Sequence, residues 1–272
     1  MRKIKFTKMV ASGNDFVVID ESHPASPAGR QVRRPSGHQD LAKKICDRKF
    51  GVGADGLLVL EKSKIADIKM RIFNADGSEA QMCGNGARCI ALYMARKSLD
   101  IETRAGVIEA GVSGKKVRIK LTEPKDIKFD IPLKVNARNL KVNFVDTGVP
   151  HAVVFVEGLD KINVSVLGRL LRYHEKFSPK GTNVNFVEVL SKNSFKIRTY
   201  ERGVEDETLA CGTGTVASTL IFALKTGSGN KIKAHTKGEG ILTVYFKKRG
   251  NKFTDVWLEG KAEIVYKGEC YV

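Results

Sequence analysis

The most constraining feature of this chain is a four-residue phrase, a cysteine followed by Gly-X-Gly, that occurs once in each half. Cys83 opens the first copy, Cys83-Gly84-Asn85-Gly86, and Cys211 opens the second, Cys211-Gly212-Thr213-Gly214. An arginine precedes each cysteine at nearly the same distance, at Arg71 and Arg198. Self-similarity of this kind predicts two copies of one structural unit.

The length and the apolar content agree with two domains of ordinary size. The chain has 272 residues, of which 42% are hydrophobic, and this is enough for a core in each half. We expect the linker between the halves near residues 123–133, where two prolines fall.

Short segments of alternating apolar and polar residues predict that most of the fold is sheet. Helical periodicity follows both cysteines, over 87–94 and over 216–224, and the second helix is expected to end at Gly227. An amphipathic segment over 40–49 predicts a third helix with Asp40 as its N-cap. Residues 21–39 hold three prolines and are expected to form a long mobile loop. The strand-like segments lie at 4–10, 16–19, 57–60, 68–73, 117–121, 142–145, 153–156, 184–189 and 195–200, with a meander over 232–266.

Composition argues against several classes of function. The sequence holds no uncharged apolar run of about 18 residues, so we expect no membrane partner and a soluble, cytoplasmic protein. Five cysteines without a C-x-x-C pair are typical of reduced thiols, and the five histidines lack metal-ligand spacing, so no metal is expected. The net charge of +17 raises the hypothesis of nucleic-acid binding. Because the basic residues are spread over the polar positions of strands, no nucleic-acid partner is expected.

A cysteine at the start of a helix points to acid–base chemistry. The first N–H groups of a helix are unpaired and partly positive, so they lower the pKa of a thiol there, and flanking glycines leave them open to a ligand. Two such helix ends facing one cleft would bind a substrate carboxylate and place its α-carbon between Cys83 and Cys211. One thiolate could then remove the α-proton while the other thiol returns a proton to the opposite face. Cys46, Cys89 and Cys270 are expected to be small hydrophobes instead.

Five stretches of the sequence carry a resemblance to a known family, and the resemblance covers nearly the whole chain. Together they resemble diaminopimelate epimerase, a cofactor-independent two-cysteine enzyme of lysine and peptidoglycan precursor synthesis. The stretches are Ser12-Gly13-Asn14-Asp15-Phe16, Phe73-Asn74-Ala75-Asp76-Gly77-Ser78-Glu79, Cys83-Gly84-Asn85-Gly86-Ala87-Arg88-Cys89, Tyr200-Glu201-Arg202-Gly203 and Ala210-Cys211-Gly212-Thr213-Gly214.

The resemblance implies an α+β fold of two structurally similar domains, each a curved mixed sheet around a central helix, with the active site in the interdomain cleft. The implied domains are residues 1–126 plus 262–272, which carry Cys83, and residues 127–261, which carry Cys211. It further implies a homodimer and no cofactor.

The resemblance also assigns the site residue by residue. Cys83 and Cys211 match the catalytic pair, and His151 and Glu201 match residues that tune the pKa values of the thiols. Asn74 and Asn183 could instead be turn residues, and Arg202 could be a surface ion pair. The implied substrate contacts are Gly84, Asn85, Gly212 and Thr213 at the reacting centre, and Asn74, Asn183, Glu201 and Arg202 at the distal amino and carboxyl groups, with Asn14 nearby.

Two positions depart from the family pattern, and two alternative functions stay open. Val149 stands where members often have asparagine, and Gly56 where some have glutamine, which puts part of the distal recognition in question. The first alternative is a racemase or epimerase of proline, hydroxyproline or histidine with the same two-thiol chemistry. The second is a thiol redox protein in which Cys83 and Cys211 form a disulfide.

Overall fold

The computed structural model describes residues 3–22, 35–136, 138–238 and 240–271 of the chain. It divides into two compact units, residues 1–119 with 260–272 and residues 120–259. We call these unit 1 and unit 2. The domain limits expected from the sequence lie a few residues C-terminal to these divisions.

The described residues form four α-helices, eighteen strands and two short 3-10 helices, Leu159–Lys161 and Glu175–Phe177. The helices are α1 (Pro35–Ile45), α2 (Gly84–Met94), α3 (Val164–Arg172) and α4 (Gly212–Thr226). The strands are β1 (Lys3–Ala11), β2 (Asn14–Asp20), β3 (Gly56–Glu61), β4 (Ile68–Asn74), β5 (Glu79–Ala80), β6 (Ser98–Thr103), β7 (Gly106–Ser113), β8 (Lys116–Lys120), β9 (Lys125–Val135), β10 (Arg138–Asp146), β11 (Pro150–Phe155), β12 (Asn183–Ser191), β13 (Ser194–Glu201), β14 (Asp206–Thr208), β15 (Lys231–Thr236), β16 (Ile241–Arg249), β17 (Lys252–Lys261) and β18 (Glu263–Tyr271).

The strands of unit 1 form a mixed sheet. Antiparallel pairs join β18 to β1, β1 to β2, β3 to β4, β6 to β7 and β7 to β8, whereas β2 and β3 are parallel and so are β4 and β6. The short strand β5 returns along β4 just before the first cysteine. Helix α2 contacts β1, β2, β4, β6, β7 and β18, so the sheet curves around it.

Unit 2 repeats this plan strand for strand. Antiparallel pairs join β9 to β10, β10 to β11, β12 to β13, β15 to β16 and β16 to β17, whereas β11 and β12 are parallel and so are β13 and β15. The short strand β14 returns along β13 before the second cysteine. Helix α4 contacts β10, β11, β12, β15 and β16 and takes the place of α2. The expected α+β class and the internal repeat are confirmed.

A second helix packs on the sheet in each unit and forms a further core there. In unit 1, Leu41, Ala42 and Ile45 of α1 pack with strand residues such as Val17 and Leu57. In unit 2, Val164 and Leu171 of α3 pack with residues of β10 to β13. Each aliphatic side chain removed from water in this way contributes about 1.5–3 kcal/mol, so both units hold their sheets between helices.

The two helices that follow the cysteines are confirmed, and three other predictions need correction. Helix α1 begins at Pro35, so Asp40 lies inside it and is not its N-cap; proline suits a first helical position because its φ is preset. Part of the loop expected over 21–39 is therefore helix, and residues 23–34 lie outside the described residues. Helix α3 was not predicted. Its N-cap is Asn163, whose side chain accepts the Val166 N–H at 3.1 Å. The expected linker is instead largely strand β9, whose backbone pairs with β10.

Candidate active site

Cys83 is the N-cap of α2. Its backbone is extended (φ −141°, ψ 120°) and its carbonyl accepts the Ala87 N–H at 2.9 Å, so the helix begins at Gly84. The side chain is half-buried. A Cβ on Gly86 would lie 3.0 Å from Leu58, so glycine allows the helix start to lie close to the sheet. The first N–H groups of α2 have no acceptor within the helix and carry partial positive charge beside the thiol.

Cys211 holds the equivalent position in unit 2. It is the N-cap of α4 (φ −113°, ψ 115°), and its carbonyl accepts the Thr215 N–H at 2.9 Å. The side chain is buried, and its Sγ lies 3.5 Å from Oγ1 of Thr213. Both cysteines therefore have the helix-start environment that favours a thiolate.

An arginine–glutamate fork fixes the hairpin that leads into each cysteine. In unit 1, Arg71 of β4 donates from Nε and Nη2 to the two carboxylate oxygens of Glu79 at 2.8 and 3.0 Å. In unit 2, Arg198 of β13 makes the same pair of bonds to Glu207 at 2.6 and 2.8 Å. The fork with Arg71 lowers the pKa of Glu79. Bidentate pairs of this kind are strong and directional, so each cysteine follows a rigid segment.

Asn14 and Asn85, two of the predicted substrate contacts, lie together in unit 1. The side-chain amide of Asn85 donates to Oδ1 of Asn14, and Nδ2 of Asn14 donates to Asp55 at 3.1 Å. Arg48 donates to Asp55 at 2.7 Å and to Asp15 at 2.9 Å. The predicted contacts near Cys83 are thus part of one hydrogen-bonded group, and Gly84 lies next to it in sequence.

Asn74 stands apart from that group. It ends β4 at an exposed position, where its Nδ2 donates to Oγ of Ser78 at 2.9 Å and its N–H to the Ser78 carbonyl at 2.8 Å. Ser78 in turn donates to Asp76 at 2.6 Å. The structure thus places Asn74 in a turn, as the alternative interpretation had it, with a carboxamide still at the surface.

Asn183 and Arg202 meet in unit 2. Oδ1 of Asn183 accepts the Arg202 backbone N–H at 2.8 Å, and Nδ2 of Asn183 donates to the Pro150 carbonyl at 3.0 Å. The Arg202 guanidinium donates to the Lys180 carbonyl at 3.3 Å, and among the described residues it has no carboxylate within ion-pair distance. The surface ion pair considered for Arg202 is therefore not formed within that part of the chain. A guanidinium in this state can accept an anionic ligand.

Glu201 precedes Arg202 at the end of β13. Its Oε2 accepts from Oγ1 of Thr208 at 3.0 Å. Burial raises the pKa of this carboxyl, and the Thr208 bond opposes that rise only in part. A cationic ligand would stabilise the ionised carboxylate, so Glu201 is suited to an ammonium group.

His151 is fully buried on β11 and belongs to a polar triad with Asn185 and Thr199. Nδ2 of Asn185 contacts Nδ1 of His151 at 3.1 Å, and Oδ1 of Asn185 accepts from Oγ1 of Thr199 at 3.0 Å. Burial, with a smaller contribution from Arg202, lowers the pKa of His151 to about 3. The imidazole is therefore neutral at neutral pH, and donation from Asn185 to Nδ1 assigns its proton to Nε2.

The two positions that depart from the family pattern have different surroundings. Gly56 begins β3, and a Cβ there would lie 2.9 Å from the Phe73 carbonyl oxygen, so the backbone excludes a side chain unless it moves. Val149 lies between β10 and β11, where its carbonyl accepts the Thr147 N–H at 3.1 Å. Neither residue supplies a side-chain hydrogen bond.

The other cysteines have the environment of core residues. Cys46 and Cys89 are buried, which confirms their predicted hydrophobic role. Burial raises the pKa of Cys46 to about 11 and raises those of Cys89 and Cys270 as well. These thiols remain protonated at neutral pH, in contrast to what a catalytic base requires.

Sequence reasoning did not single out four residues that the structure joins by hydrogen bonds to predicted site residues or to one another: Arg88, Asn185, Thr199 and Ser12. Arg88 could have been noticed as a charged residue inside an apolar helical pattern. Asn185 lies two residues after Asn183, on the same face of a buried strand, where a polar residue is unusual. Ser12 and Thr199 carry no comparable signal, because small hydroxyl residues are common in turns and strands.

The described residues lack two further features. No three His, Cys, Asp or Glu side chains there are grouped so that they could hold a metal ion. No helix in the same residues has the length and apolar character needed to cross a membrane.

Comparison with known proteins shows the family. The profile of the diaminopimelate epimerase family matches residues 6–126 and 143–265. Diaminopimelate epimerase from Aquifex aeolicus (strain VF5) is 42% identical over 275 residues, covering 97% of each chain. The enzyme of that name from Methanocella arvoryzae is 42% identical over 292 residues, covering 100% of this chain and 98% of its own.

Solved structures share the fold at low identity. A Bacillus anthracis phenazine biosynthesis protein of the PhzF family aligns with a TM-score of 0.75 at 20% identity, covering 100% of both chains. A hydroxyproline epimerase from Agrobacterium vitis aligns with a TM-score of 0.70 at 14% identity, covering 99% of this chain and 91% of its own. With both cysteine phrases inside the matched regions and relatives at 42% identity over nearly the full length, the chain belongs to the diaminopimelate epimerase family.

Proposed function

We propose that this protein converts LL-2,6-diaminopimelate to meso-diaminopimelate, a step in lysine and peptidoglycan precursor synthesis, with two thiols as acid and base. The observation that carries the proposal is that Cys83 and Cys211 are N-caps of equivalent helices in two repeated units of a member of this family. The reaction inverts one carbon, and two equivalent thiols supply one group for each face.

The two thiols alone can supply and accept every proton that the proposed reaction moves. The thiolate of one cysteine takes the α-proton, forming an S–H bond as the C–H bond breaks, and the electron pair passes into the α-carboxylate. The opposite thiol then gives its proton to the other face of the carbon and becomes the thiolate. Proton transfer of this kind supplies about 10²–10⁴ in rate, and preorganised N–H donors on the carboxylate supply much of the remainder.

The residues near the two helix starts would hold the reacting end of the substrate. Gly84, Asn85, Gly212 and Thr213 offer backbone N–H groups and side-chain polar atoms beside the two cysteines. The partial positive charge of each helix N-terminus favours an anion there and strengthens as the carboxylate gains charge. No cofactor is needed in this scheme, because these donors take over the stabilisation of the carbanion.

The distal end of diaminopimelate carries a second ammonium and a second carboxylate. Arg202 can form a bidentate pair with the carboxylate and Glu201 an ion pair with the ammonium. Asn183 accepts the backbone N–H of Arg202 and would hold the Glu201–Arg202 segment in position. Asn14 and Asn74 would add carboxamide contacts to the substrate. His151 and Glu201 would tune the thiols as a neutral donor and an anion respectively.

A second candidate function is epimerisation of a smaller amino acid such as proline, hydroxyproline or histidine. Two observations favour it: Val149 and Gly56 supply no side-chain hydrogen bond, and a hydroxyproline epimerase shares the fold. Arg202 and Glu201 argue against it, because a substrate without charges at its distal end would leave both without ligands. The redox alternative makes a different prediction, namely that oxidation of Cys83 with Cys211 would preserve function rather than abolish it.

A homodimer in the cytoplasm completes the proposal. Strand β18 exposes Ile264, Val265 and Tyr266 to 45%, 56% and 45% of their surface, and large apolar side chains in a row often mark a contact with a second copy. Sedimentation equilibrium should give twice the chain mass of 29.9 kDa, and Val265→Glu should lower it to a monomer. A monomeric wild type would remove the homodimer from the proposal.

Proton NMR in heavy water tests the activity directly. Reduced protein is mixed with LL-diaminopimelate and, separately, with proline, hydroxyproline, histidine and lysine, and the α-proton signal is followed. We expect exchange and inversion of diaminopimelate alone. Exchange with another amino acid only would retain the two-thiol mechanism and change the substrate, and no exchange with any of them would contradict the proposed function.

A further inference from the structure

Arg88 is a fully buried charged residue five positions after Cys83 in α2. Its Nη2 donates to Oδ1 of Asn85 at 2.6 Å and to Oγ of Ser12 at 2.8 Å. Its Nε and Nη1 have no acceptor among the described residues, and no carboxylate there lies within ion-pair distance. Both hydrogen bonds thus go to neutral oxygens, and the positive charge has no negative side chain paired with it in the described part of the chain.

A buried cation without a counter-charge is costly. Arginine stays protonated in proteins, so it cannot escape the cost by neutralising. Burial lowers the pKa of Arg88, and negative charge on Cys89 or Cys83 opposes that change. Cys89 is fully buried and its pKa is strongly raised, so it stays a thiol. Cys83, the N-cap of the same helix, is the other thiol whose negative charge would stabilise the Arg88 cation.

The hydrogen bonds of Arg88 also impose a direction on the amides beside Cys83. Because the guanidinium can only donate, it binds Oδ1 of Asn85, and the Asn85 amide must then donate to Asn14. Asn14 in turn donates to the carboxylate of Asp55, which can only accept. A cation at one end and an anion at the other thus orient both carboxamides.

Unit 2 has no equivalent of Arg88. Counting five residues from Cys211 gives Val216, which is fully buried in α4. The helix of unit 2 therefore carries no buried cation at the position equivalent to Arg88.

We propose that Arg88 is a positioning residue which orients Asn85 and Asn14 and provides the positive charge that makes Cys83 the thiolate of the resting enzyme. The proposal rests on the two-thiol function above and assigns unequal roles to the two thiols before substrate binds.

Other charged groups on elements packed against α2 are paired, exposed or half-buried. Lys8 of β1 pairs with Asp15 of β2 at 2.8 Å, and Arg71 of β4 pairs with Glu79. Lys69 of β4 pairs with Glu61 at 3.0 Å, and Lys3 and Lys5 of β1 are exposed. Asp20 of β2 is half-buried and accepts from the hydroxyl of Tyr93 in α2 at 3.4 Å. Strands β6, β7 and β18 carry their charges at exposed or half-buried positions, so that solvent screens them. These charges are Asp100, Glu102, Glu109, Glu263, Lys267 and Glu269.

The test measures the thiolate of Cys83 without any substrate, so it does not depend on which amino acid the enzyme uses. Iodoacetamide reacts with thiolates, and peptide mass spectrometry resolves which cysteine is labelled. In a Cys211→Ser background, Arg88→Met should raise the pH midpoint of Cys83 labelling by about one unit or more, the usual effect of removing a nearby opposite charge. An unchanged midpoint would overturn the charge assignment.

Matched controls separate this effect from a general loss of structure. In a Cys83→Ser background, Arg88→Met should leave the Cys211 midpoint in place; an equal shift at both thiols would refute the proposal. Val216→Ala changes the equivalent position of α4 and should lower the free energy of unfolding without moving the Cys83 midpoint.

Arg88→Lys tests the positioning role and remains informative if Arg88→Met does not fold. Lysine keeps the charge, so the Cys83 midpoint should stay within about half a unit. Its ammonium ends a shorter side chain and does not reproduce the position of Nη2, which donates to both Asn85 and Ser12. With diaminopimelate, kcat should fall about tenfold because the carboxamides lose their orientation, while KM changes less. Wild-type kcat in this variant would overturn the positioning role.

Discussion

Units 1 and 2 have the same backbone plan but place their buried polar groups differently beneath the two cysteine helices. In unit 2, Asn185 of β12 pairs with Thr199 of β13. The side chain of Asn185 also contacts His151 of β11, whose own register partner on β12 is Asn183. The corresponding register in unit 1 places Phe16, Leu58 and Ile72, all buried and apolar. At the helix position five residues after each cysteine the order is the opposite, with the buried cation Arg88 in α2 and the apolar Val216 in α4.

This difference teaches that a repeat can supply equal backbone chemistry and unequal side-chain chemistry. Helix N-termini, extended N-caps and arginine forks recur because they follow from the shared backbone. The charge near each thiol depends on one or two side chains and can diverge without changing the fold. A buried cation in one unit and a neutral imidazole in the other are expected to make the two thiols titrate differently.

The largest expected effect tests whether the two cysteines are equivalent in function. Cys83→Ala and Cys211→Ala should each reduce epimerisation of diaminopimelate by about 10³-fold or more, because each removes the acid or base for one face. Steady-state assays measure the loss, and circular dichroism serves as the control for folding. Appreciable inversion by either variant would break the pairing of the two thiols.

The arginine–glutamate forks test whether equivalent side-chain pairs contribute equally to the free energy of unfolding in the two units. Arg71→Met and Arg198→Met should each lower the free energy of unfolding by about 1.5–3 kcal/mol, since each removes a charged bidentate partner and leaves the glutamate with one lysine or arginine, Arg104 for Glu79 and Lys237 for Glu207. Arg198→Met should cost more, because Arg198 also donates to the carbonyls of Leu159 and Ile162 at 3.0 and 2.9 Å, whereas the further contacts of Arg71, with Glu61 and His38, are longer at 3.3 Å. Urea denaturation measures both, and a larger loss in Arg71→Met would contradict this ranking.

The glycine three residues after each cysteine, Gly86 or Gly214, sharpens the comparison of the side chains packed beneath the two helices. A Cβ on Gly214 would lie 2.3 Å from Oδ1 of Asn185 and 3.3 Å from Sγ of Cys211. A Cβ on Gly86 would meet only the end of Leu58 closely, at 3.0 Å. Gly214→Ala should therefore cost about 1–3 kcal/mol as an overpacked site and also lower kcat, while Gly86→Ala should be milder in both. Equal effects in thermal unfolding and turnover would show that the triad is not rigid.

The smallest expected effect is the pH dependence of stability that comes from His151, which has the apolar Phe16 as its counterpart in unit 1. The pKa of His151 is lowered to about 3 in the folded chain, against an unfolded value of about 6.5. Below pH 6.5 the unfolded state binds the proton first, so stability is lost as the pH falls from there toward 3.

His151→Gln isolates the contribution of His151 to the pH dependence of stability. Between pH 7 and pH 5 the wild type should lose on the order of 1–2 kcal/mol more than the variant in urea denaturation. Phe16→Leu, at the equivalent position of unit 1, should keep the wild-type slope. Parallel slopes for wild type and His151→Gln would mean that His151 is not buried as a neutral group.

Much of the site could be predicted because its residues are close in sequence. The glycines after each cysteine and the apolar periodicity that follows them indicate the two helix starts. These lie at Cys83 with Gly84 and Asn85, and at Cys211 with Gly212 and Thr213. The interpretation of Asn74 as a substrate contact was harder to support, because its hydrogen bonds to Ser78 are those of a turn. Its role in substrate binding stays a prediction, as do those of the other proposed contacts.

The sequence alone determined the duplication, the predominance of sheet, the two central helices and the family, because each depends on local spacing or on motifs read in order. It did not reveal β9, whose residues resemble a linker until they pair with β10, or α3. Only the tertiary structure decided which polar groups are buried together: Arg88 with Asn85 and Ser12, and His151 with Asn185 and Thr199. Burial and hydrogen-bond partners come from strands distant in sequence, and these set the charge that each thiol experiences.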